Sequence, residues 1–325
     1  MIDRVTIILL NWNGLKYVEK CVESVINQTH ENIEFIIVDN ASTDGSIQKI
    51  QKKYQLFRYI LNKSNWGFAK GMNQGIEISK GKYVLLLNND VYLDSNYIKE
   101  GLSRIQKDEK IGFIGGLEYI WKDDKLTDKL HISCGPMYLR KRMQMTRKNN
   151  FYDEQVCFGI TGSFPIVRKK MLDDIFSVSG YYFDEDFETG WEDTDMRFRA
   201  FLRGWGTLYY PKIRAWHVLS ASDEGKIRLT QKNSKYQVRI FRNRYFVILK
   251  NLPTEINKWL RIHLFLAEII MVPYYLFLYH RTFLSLISAK KEYRNKKKIM
   301  LEKRKKIQEN ILINLDELKK MFIEF

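Results

Sequence analysis

The fold class follows from the stretch Val5-Thr6-Ile7-Ile8-Leu9-Leu10-Asn11-Trp12-Asn13-Gly14. Its apolar run Val5–Leu10 is typical of a strand that is covered on both faces of a sheet. Further strands are predicted at Phe35–Val38, Arg58–Leu61 and Tyr83–Leu87. Segments with helical spacing separate these runs, so the pattern predicts an α/β fold with a mainly parallel central sheet and helices on both faces. Ligands on such sheets bind at the carboxyl ends of the strands.

The second half of the chain has a weaker pattern. We expect an irregular insert over residues 112–158, which would help to shape one side of a binding site. Helices are predicted near Lys169–Phe176 and from Glu192 to Arg203, where Gly204 can end the second helix. An acidic and aromatic loop, Asp184–Trp191, lies between them.

The composition is that of a folded intracellular protein. The chain has 325 residues, of which 45% are hydrophobic and 14% aromatic, enough for a sizeable core. The three cysteines, Cys21, Cys134 and Cys157, are widely spaced and fit a reducing compartment better than a disulfide framework. No signal-peptide pattern opens the sequence, so the cytoplasm is the expected location.

The formal net charge of +16 is concentrated near the carboxyl end. The stretch Lys290–Lys306 contains ten Lys or Arg residues and two Glu, which indicates an anionic partner or, alternatively, a solvated helix face. The apolar stretch Leu264–Tyr279 before it is short for a membrane-spanning helix. Together the two stretches predict a helical surface over residues 264–306 that lies on a membrane, the alternative being an ordinary helix packed on the core.

Two polar segments follow predicted strands and could bind a nucleotide. Asp39 ends a strand, and its carboxylate could accept hydrogen bonds from a base or a ribose hydroxyl, or could simply open the turn. The stretch Asn65–Gly75 places glycines four residues apart, which would let the backbone approach a ligand or a sheet closely. Both alternatives stay open at both places.

A third polar segment, Asn88-Asn89-Asp90, follows the strand Tyr83–Leu87. A hard cation held by one carboxylate and by substrate phosphates would neutralise a diphosphate leaving group, and Asp90 is the candidate ligand. The alternative is a polar turn. His217 could be a second ligand through its neutral imidazole, or a packed histidine.

The segment Trp191-Glu192-Asp193-Thr194-Asp195 lies at a predicted helix start. If a hydroxyl attacks a substrate here in a single displacement, one base must take its proton. Asp193 or Glu192 could be this base, while Asp195 could organise the helix. The alternative is that these acids only stabilise the helix dipole.

In their order along the chain, these segments resemble the family 2 glycosyltransferases over roughly residues 4–250. The motifs that carry the resemblance are Ile7–Gly14, Gln28-Thr29, Ile37–Ser46, Asn65–Gly75, Leu86–Asp90, Trp191–Asp195, Arg203–Trp205 and Trp216-His217. The segments Asn65–Gly75 and Leu86–Asp90 look like the rhamnosyltransferase-like branch. One position departs from the family, because the first Asp of its Asp-x-Asp motif is Asn88 here.

The resemblance implies a glycosyltransferase-A fold with a nucleotide-sugar donor and Mg²⁺ or Mn²⁺ as cofactor. Carried over by position, Asp193 would be the catalytic base, Asp90 the metal carboxylate and His217 a further metal ligand. The nucleotide-sugar-binding residues would be Asn11, Asn13, Asp39, Asn65, Gly71, Asn73, Asn88 and Asn89.

We therefore predict an inverting glycosyltransferase that moves rhamnose or another hexose to a hydroxyl of a glycan or lipid-linked acceptor in surface polysaccharide biosynthesis, at the inner face of the cell membrane. The catalytic domain is expected at 1–250, divided at 116 into nucleotide-sugar and acceptor halves, with a helical, basic, membrane-associating region at 251–325. The alternatives are a non-catalytic nucleotide-sugar-binding relative and a basic nucleic-acid-binding protein, although no nucleic-acid partner is expected.

Overall fold

The structure is a computed structural model that describes residues 2–131, 135–140, 145–147, 150–218 and 228–322. Cys134 lies outside the described residues. Cys21 and Cys157 are buried free thiols. Burial raises the pKa of Cys157 to about 12, so this thiol is protonated at neutral pH.

Helices and strands alternate through the first third of the chain. The strands are β1 (Val5–Asn11), β2 (Ile33–Asp39), β3 (Arg58–Leu61), β4 (Tyr83–Asn88), β5 (Val91–Leu93), β6 (Ile111–Lys122), β7 (Lys125–Leu130), β8 (Met137–Leu139), β9 (Met145–Arg147), β10 (Gln155–Cys157), β11 (Ile166–Arg168) and β12 (Gly206–His217). The helices are α1 (Val18–Ile26), α2 (Ser46–Lys53), α3 (Gly67–Glu77), α4 (Tyr97–Ile105), α5 (Lys169–Ser179), α6 (Glu192–Leu202), α7 (Ser234–Asn251), α8 (Thr254–Leu278), α9 (His280–Gln308) and α10 (Leu315–Lys320). The four strands predicted before residue 90 are confirmed, as are the helices near 169 and 192.

One mixed sheet forms the centre of the molecule, in the order β10-β12-β6-β11-β4-β1-β2-β3. The strands β4, β1, β2 and β3 are parallel neighbours, and β6 is parallel to β12. The short strand β11 joins these two parallel parts by antiparallel pairing with β4 and β6. Because β1, β2 and β4 are parallel, their carboxyl ends meet at one edge, where Asn11 lies beside Asp39 and Leu10 beside Asn88.

Strand β1 is buried on both faces, as its apolar run predicts. On one face Ile7 and Leu9 belong to a core cluster with Val22 of α1, and on the other Ile8 packs with Met72 of α3. Fully burying an aliphatic side chain of this kind stabilises a fold by about 1.5–3 kcal/mol. The two-sided burial therefore fixes helices on both faces of the sheet.

The prediction of an irregular insert from residue 112 to 158 is wrong in its first part. Strand β6 occupies the middle of the sheet between β12 and β11. Its glycines weaken the strand pattern in the sequence, but the packing requires at least one of them. A Cβ atom on Gly116 would collide with the carbonyl oxygens of Tyr210 and Ile213 on the irregularly paired strand β12.

The carboxyl-terminal helices α7 and α9 share a hydrophobic cluster with the domain that contains the sheet. One hydrophobic cluster joins Phe187 and Phe198 to Phe246 of α7 and to Met300 and Ile307 of α9. The domain boundary at residue 250 stays a prediction, since this cluster has members on both sides of it. Within the described ranges, every helix is too short or too polar to cross a bilayer.

Candidate active site

The loops after β1 and β2 form one hydrogen-bonded wall at the carboxyl edge of the sheet. The side-chain amide of Asn11 is buried and donates to Asp39 Oδ1 over 2.8 Å, with Ser42 Oγ and Ser46 Oγ at 3.1 and 3.0 Å. Asp39 also accepts hydrogen bonds from the backbone N–H of Ser42 (2.9 Å) and from its hydroxyl (2.6 Å). Asp39, which is 3% exposed, therefore opens its turn, as one interpretation held, and its Oδ2 accepts one hydrogen bond from the described residues and has a further lone pair.

Asn13 extends this wall towards solvent. It is exposed, adopts a positive φ of 49°, and accepts a hydrogen bond at Oδ1 from the backbone N–H of Thr43 (2.9 Å). Asp44 makes a second contact between the two loops, because its side chain accepts a hydrogen bond from the backbone N–H of Leu15 (2.8 Å). The two loops thus hold each other, and the conformation at Asn13 is of the kind that clusters at ligand sites.

The amino-terminal turn of α3 borders the same edge. Asn65 is exposed and accepts a hydrogen bond from the backbone N–H of Gly67 (2.9 Å). Gly67 has a φ of +83° and lies so close to Glu188 that an added Cβ would be 2.9 Å from its carbonyl oxygen. The start of α3 therefore meets the loop that leads to the predicted base.

The two predicted nucleotide-binding residues within α3, Gly71 and Asn73, make packing contacts inside the protein. A Cβ on Gly71 would be 2.5 Å from Leu10 Cδ1, so this glycine allows the close approach of α3 to β1. Asn73 is buried and exchanges two hydrogen bonds of 2.9 Å with the backbone N–H and carbonyl of Phe183. These contacts support the helix–sheet packing alternative, and the direct nucleotide contacts of both residues stay predictions.

The segment after β4 connects the wall to the rest of the site. The amide of Asn89 donates to Asn11 Oδ1 over 2.8 Å. The backbone N–H of Asn88 donates to the carbonyl of Ser163 over 2.9 Å, in the loop that precedes β11. Asp90 follows directly and is only 7% exposed. This segment therefore lies between the predicted nucleotide side and the residues around 162.

Asp90, His217 and Glu118 form a buried row. His217 Nε2 is 3.2 Å from Asp90 Oδ1, and Nδ1 is 2.8 Å from Glu118 Oε1. Burial opposes a charge on this imidazole, but the carboxylates of Asp90 and Glu118 outweigh it and raise the pKa of His217 to about 10. If Nδ1–H donates to Glu118, the lone pair of Nε2 faces a carboxylate, an arrangement that needs a proton or a cation between them.

The donor atoms in this row fit a divalent cation. A carboxylate suits Mg²⁺ and Mn²⁺, an imidazole is a common ligand of transition metals, and a carboxylate behind the histidine is the usual orienting partner. Within the described part of the chain, three or more His, Cys, Asp or Glu side chains nowhere form a ready-made metal cluster. A cation here would take its remaining ligands from substrate phosphates or water.

Asp193 lies in the first turn of α6, with its side chain 30% exposed. Oδ2 is 3.0 Å from the guanidinium of Arg197, one turn further along, and Oδ1 accepts from the backbone N–H of Thr194 over 2.6 Å. Gly162, the residue before Ser163, lies against this carboxylate, since an added Cβ would be 2.8 Å from Oδ2. Asp193 is therefore an accessible and oriented carboxylate beside the loop that contacts Asn88.

The two other acids of this motif have different surroundings. Glu192 is buried, and this burial together with the charge of Asp193 raises its pKa to about 8. Asp195 is fully buried and pairs with Arg199 (2.9 Å) and Lys250 (2.7 Å). Asp195 therefore organises the helix and its contact with α7, as one alternative held.

Residues from α7 and α9 hold the loop in front of Asp193. The side-chain amide of Asn243 donates to the carbonyls of Phe187 (2.7 Å), Thr189 (3.2 Å) and Gly190 (2.7 Å). Lys250 and Lys303 both pair with the buried carboxylate of Asp184, each over 2.5 Å. The basic run of α9 is thus partly used inside the molecule.

The structure brings most of the predicted site residues to one edge of the sheet. The residues that line this edge or contact those that do are Asn11, Asn13, Asp39, Asn65, Asn88, Asn89, Asp90, Asp193 and His217. Sequence reasoning missed Glu118, Arg197 and Asn243. A lone acid within the apolar run Ile111–Trp121 was a signal for Glu118, whereas Asn243 gave none.

Comparison with known proteins assigns the chain to a family. Residues 6–176 match glycosyl transferase family 2. An uncharacterised glycosyltransferase of Haemophilus influenzae is 26% identical over 52% of this chain and 50% of its own length, so the match spans half of that relative. A Methanococcus voltae protein, named dolichyl N-acetyl-α-D-glucosaminyl phosphate 3-β-D-2,3-diacetamido-2,3-dideoxy-β-D-glucuronosyltransferase, is 24% identical over 75% of this chain and 76% of its own.

Two solved structures share the fold. Staphylococcus aureus TarS in complex with UDP has a TM-score of 0.52 and 16% identity, over 82% of this chain and 72% of that chain. GalNAc-T7 with UDP, GalNAc and Mn²⁺ has a TM-score of 0.54 and 16% identity, over 66% of this chain and 43% of that chain. The expected glycosyltransferase-A fold with a helical carboxyl-terminal region is therefore confirmed. With residues 6–176, more than half of the chain, matching the family, this chain belongs to glycosyl transferase family 2.

Proposed function

We propose that this enzyme moves a hexose, with inversion, from a nucleotide diphosphate to a hydroxyl of a glycan or lipid-linked acceptor in surface polysaccharide biosynthesis. One observation carries the proposal. The carboxylate of Asp193 lies against Gly162, and the next residue, Ser163, is hydrogen-bonded to Asn88, two positions before Asp90. A base for the acceptor and a carboxylate for the leaving diphosphate are thus separated by one short connection.

The donor nucleotide would lie against the wall of Asn11, Asn13 and Asp39. Asp39 Oδ2 has a further lone pair for a donor such as a ring N–H or a ribose hydroxyl, and Asn13 is exposed beside it. The UDP bound to TarS and to GalNAc-T7, which share this fold, supports a uridine nucleotide. A thymidine nucleotide carrying rhamnose is the expectation from the rhamnosyltransferase-like branch.

Mg²⁺ or Mn²⁺ would be held by Asp90 and His217, with Glu118 fixing the imidazole. When bound, the cation would supply positive charge at the departing diphosphate. The Mn²⁺ that accompanies UDP in the GalNAc-T7 structure supports this choice of metal.

The chain's own residues would perform the proton transfer. Asp193 would accept the proton of the acceptor hydroxyl as that oxygen forms its bond to the anomeric carbon. The bond from this carbon to the diphosphate breaks on the opposite face, so the configuration inverts. The guanidinium of Arg197, which lies 3.0 Å from Oδ2, would hold the carboxylate of Asp193 in position.

An acceptor on a lipid carrier and a peripheral position at the inner face of the membrane complete the proposal. The name of the Methanococcus voltae relative includes a dolichyl phosphate sugar, which supports an acceptor of this class. A nucleic-acid partner is not expected, because Lys296 and Lys303 of the basic run already pair with Asp186 and Asp184.

The test is a donor screen with product analysis. Purified protein is incubated with UDP- and dTDP-hexoses, with Mn²⁺ or with excess chelator, and with lipid-linked sugar acceptors. We expect transfer that requires the metal, and a product whose new glycosidic bond, measured by NMR, has the opposite anomeric configuration to the donor. Retained configuration would reject the single-base mechanism, and full activity in chelator would reject the metal role of Asp90.

A further inference from the structure

Helix α8 turns the acid of its apolar stretch towards the protein, whereas a surface helix usually turns its polar residues towards solvent. Its acid within the apolar stretch, Glu268, faces the protein, where it accepts a hydrogen bond from the hydroxyl of Tyr245 and pairs with Lys290 over 2.8 Å. Leu264 and Ala267 of the same face are buried. A surface helix of a globular protein ordinarily shows the opposite arrangement, with its polar face outside.

The other face of α8 is apolar and exposed. Phe277 is 80% exposed and Phe265 66%, and the surface continues onto the start of α9. We call this surface the outer face; it consists of Ile262, Phe265, Leu266, Ile269, Ile270, Tyr274, Leu276, Phe277, Leu278, Leu284 and Ile287. Contiguous apolar surfaces of this extent mark sites that bind a partner or a membrane.

Exposed cations follow the outer face along α9. Lys291, Lys297 and Lys298 are exposed, whereas Lys303 of the same helix points to an internal acid. These exposed lysines lie on the same helix that carries Leu284 and Ile287 of the outer face, and the first of them, Lys291, lies one turn after Ile287. This combination suits an anionic surface with an apolar interior.

We infer that the outer face inserts into the interface of an anionic lipid bilayer, with α8 lying in the membrane plane and the cations of α9 on the headgroups. The inference deepens the membrane position in the proposed function, on which it rests, by naming the surface and its partner. A span is not required, because no described helix could cross a bilayer. Apolar burial and attraction of Lys and Arg to anionic headgroups both favour this binding.

A second copy of the chain fits the surface less well than a bilayer. The outer face offers almost no polar groups with which a protein partner could set a specific register. Another copy would bring the same excess of positive charge to the contact, because Lys291, Lys297 and Lys298 outnumber Glu302, the exposed acid of α9. A bilayer with anionic headgroups offers an apolar interior to the outer face and negative charge to the cations of α9.

The test is sedimentation of the full chain with vesicles. Phosphatidylcholine vesicles with phosphatidylglycerol are compared with vesicles of phosphatidylcholine alone, and we expect tighter binding to the former. The double substitution Ile269→Gln with Phe277→Gln should weaken binding by roughly tenfold or more, because each removes an inserting side chain. Leu56→Gln is the matched control, since Leu56 is 99% exposed but lies far away in the sequence before β3.

A second pair of variants tests the charges. Lys297→Gln with Lys298→Gln should weaken binding to anionic vesicles by roughly fivefold per lysine at low salt. Lys107→Gln with Lys110→Gln, exposed positions after α4, should leave it unchanged. Equal binding by wild type and outer-face variants would overturn the inference, as would a vesicle-independent dimer that these variants abolish. Absence of sugar transfer alongside intact vesicle binding would count against the proposed function only.

Discussion

The two sides of the candidate active site are built in different ways. On the donor side, Asn11, Asp39 and Ser42 bond to one another within the first two strand–helix units. On the base side, the loop before Asp193 is bonded by Asn243 of α7, 53 positions after Gly190, and the loop's acid Asp184 by Lys303 of α9. The predicted nucleotide wall is therefore built mainly within the first two strand–helix units, whereas the loop before the predicted base depends on the carboxyl-terminal helices.

Because the two sides are built separately, donor binding and sugar transfer should respond separately to substitution. Changes on the base side should reduce transfer while the donor still binds. Changes in the packing of β1 should act through stability. Variants of each side, taken from the largest expected effect to the smallest, can confirm or remove this separation.

Asp193→Asn should abolish most transfer and leave donor affinity unchanged. Loss of a general base lowers turnover by roughly 10²–10⁴-fold, since an amide cannot take the proton. The measurements are initial rates and calorimetric binding of a UDP-sugar with Mn²⁺. Asp173→Asn is the control, because Asp173 is an exposed acid on α5. Wild-type turnover in Asp193→Asn would remove the base assignment.

Lys250→Met should destabilise the base side strongly. It leaves Asp195 and Asp184 buried with less compensating charge, and breaking a buried pair costs about 3–5 kcal/mol. Chemical denaturation measures the loss. Lys53→Met should change stability little, since Lys53 also contacts two acids but is exposed. Equal losses of stability in both variants would show that the buried ion pairs of Lys250 contribute no more than the exposed ion pairs of Lys53.

Glu118→Gln should lower Mn²⁺ affinity by about 10–100-fold, the usual effect of removing the partner of a metal-binding histidine. Titration of Mn²⁺ followed by electron paramagnetic resonance, in the presence of UDP, measures this. Glu34→Gln, whose carboxylate contacts Thr6 and Arg58 away from the site, should not alter it. Unchanged affinity in Glu118→Gln would argue that His217 is a packed histidine.

Gly71→Ala and Gly75→Ala together test the packing of α3. Each added Cβ meets a side chain of β1, Leu10 for the first and Ile8 for the second, and overpacking costs about 1–3 kcal/mol. Both variants should lose stability and keep the donor KM. A raised donor KM in Gly71→Ala alone would instead place this glycine in the nucleotide pocket.

Glu192→Gln should flatten the pH dependence of stability. The pKa of Glu192 is raised to about 8 in the fold, above its ordinary 4.5, so the folded state holds an extra proton between these values. Wild-type stability is therefore full below the ordinary pKa and is lost as pH rises through about 8, at about 1.4 kcal/mol per pH unit. Thermal melts at both ends of this range should show a smaller difference for the glutamine variant. An identical slope would mean that Glu192 ionises normally.

The first ninety residues show how far sequence alone can predict this fold. Strand β3 occupies the predicted range Arg58–Leu61, and β1, β2 and β4 exceed their predicted ranges by three residues or fewer. Strands β1, β2 and β4 are largely buried, so their apolar runs are continuous and visible, whereas β3 is a partly exposed strand at the end of the sheet. Strand β6 was not predicted, because Gly112, Gly115 and Gly116 interrupt its apolar run. The crowded packing around these positions is the reason that small residues are required there.

For the candidate site, the sequence predicted which residues lie at the edge of the sheet but not the contacts that hold them there. Asp39, Asp90 and Asp193 follow from strand ends and a helix start, where position in the sequence implies position in the fold. Contacts such as Glu118 with His217 or Asn243 with Gly190 join residues 99 and 53 positions apart, and only the packing of the whole chain determines them. The inward orientation of Glu268 was equally invisible, because it depends on Tyr245 and Lys290.

The cluster that joins α6 to α7 and α9 has a practical consequence for protein engineering. A recombinant fragment ending near residue 250 would keep Phe246 and Leu249 but lose Met300 and Ile307, which cover them in the same cluster. Such a fragment would retain all the residues that match the family, but it would expose an apolar surface that is prone to aggregation. Shortening this enzyme to its recognisable catalytic portion would therefore favour aggregation over a minimal working transferase.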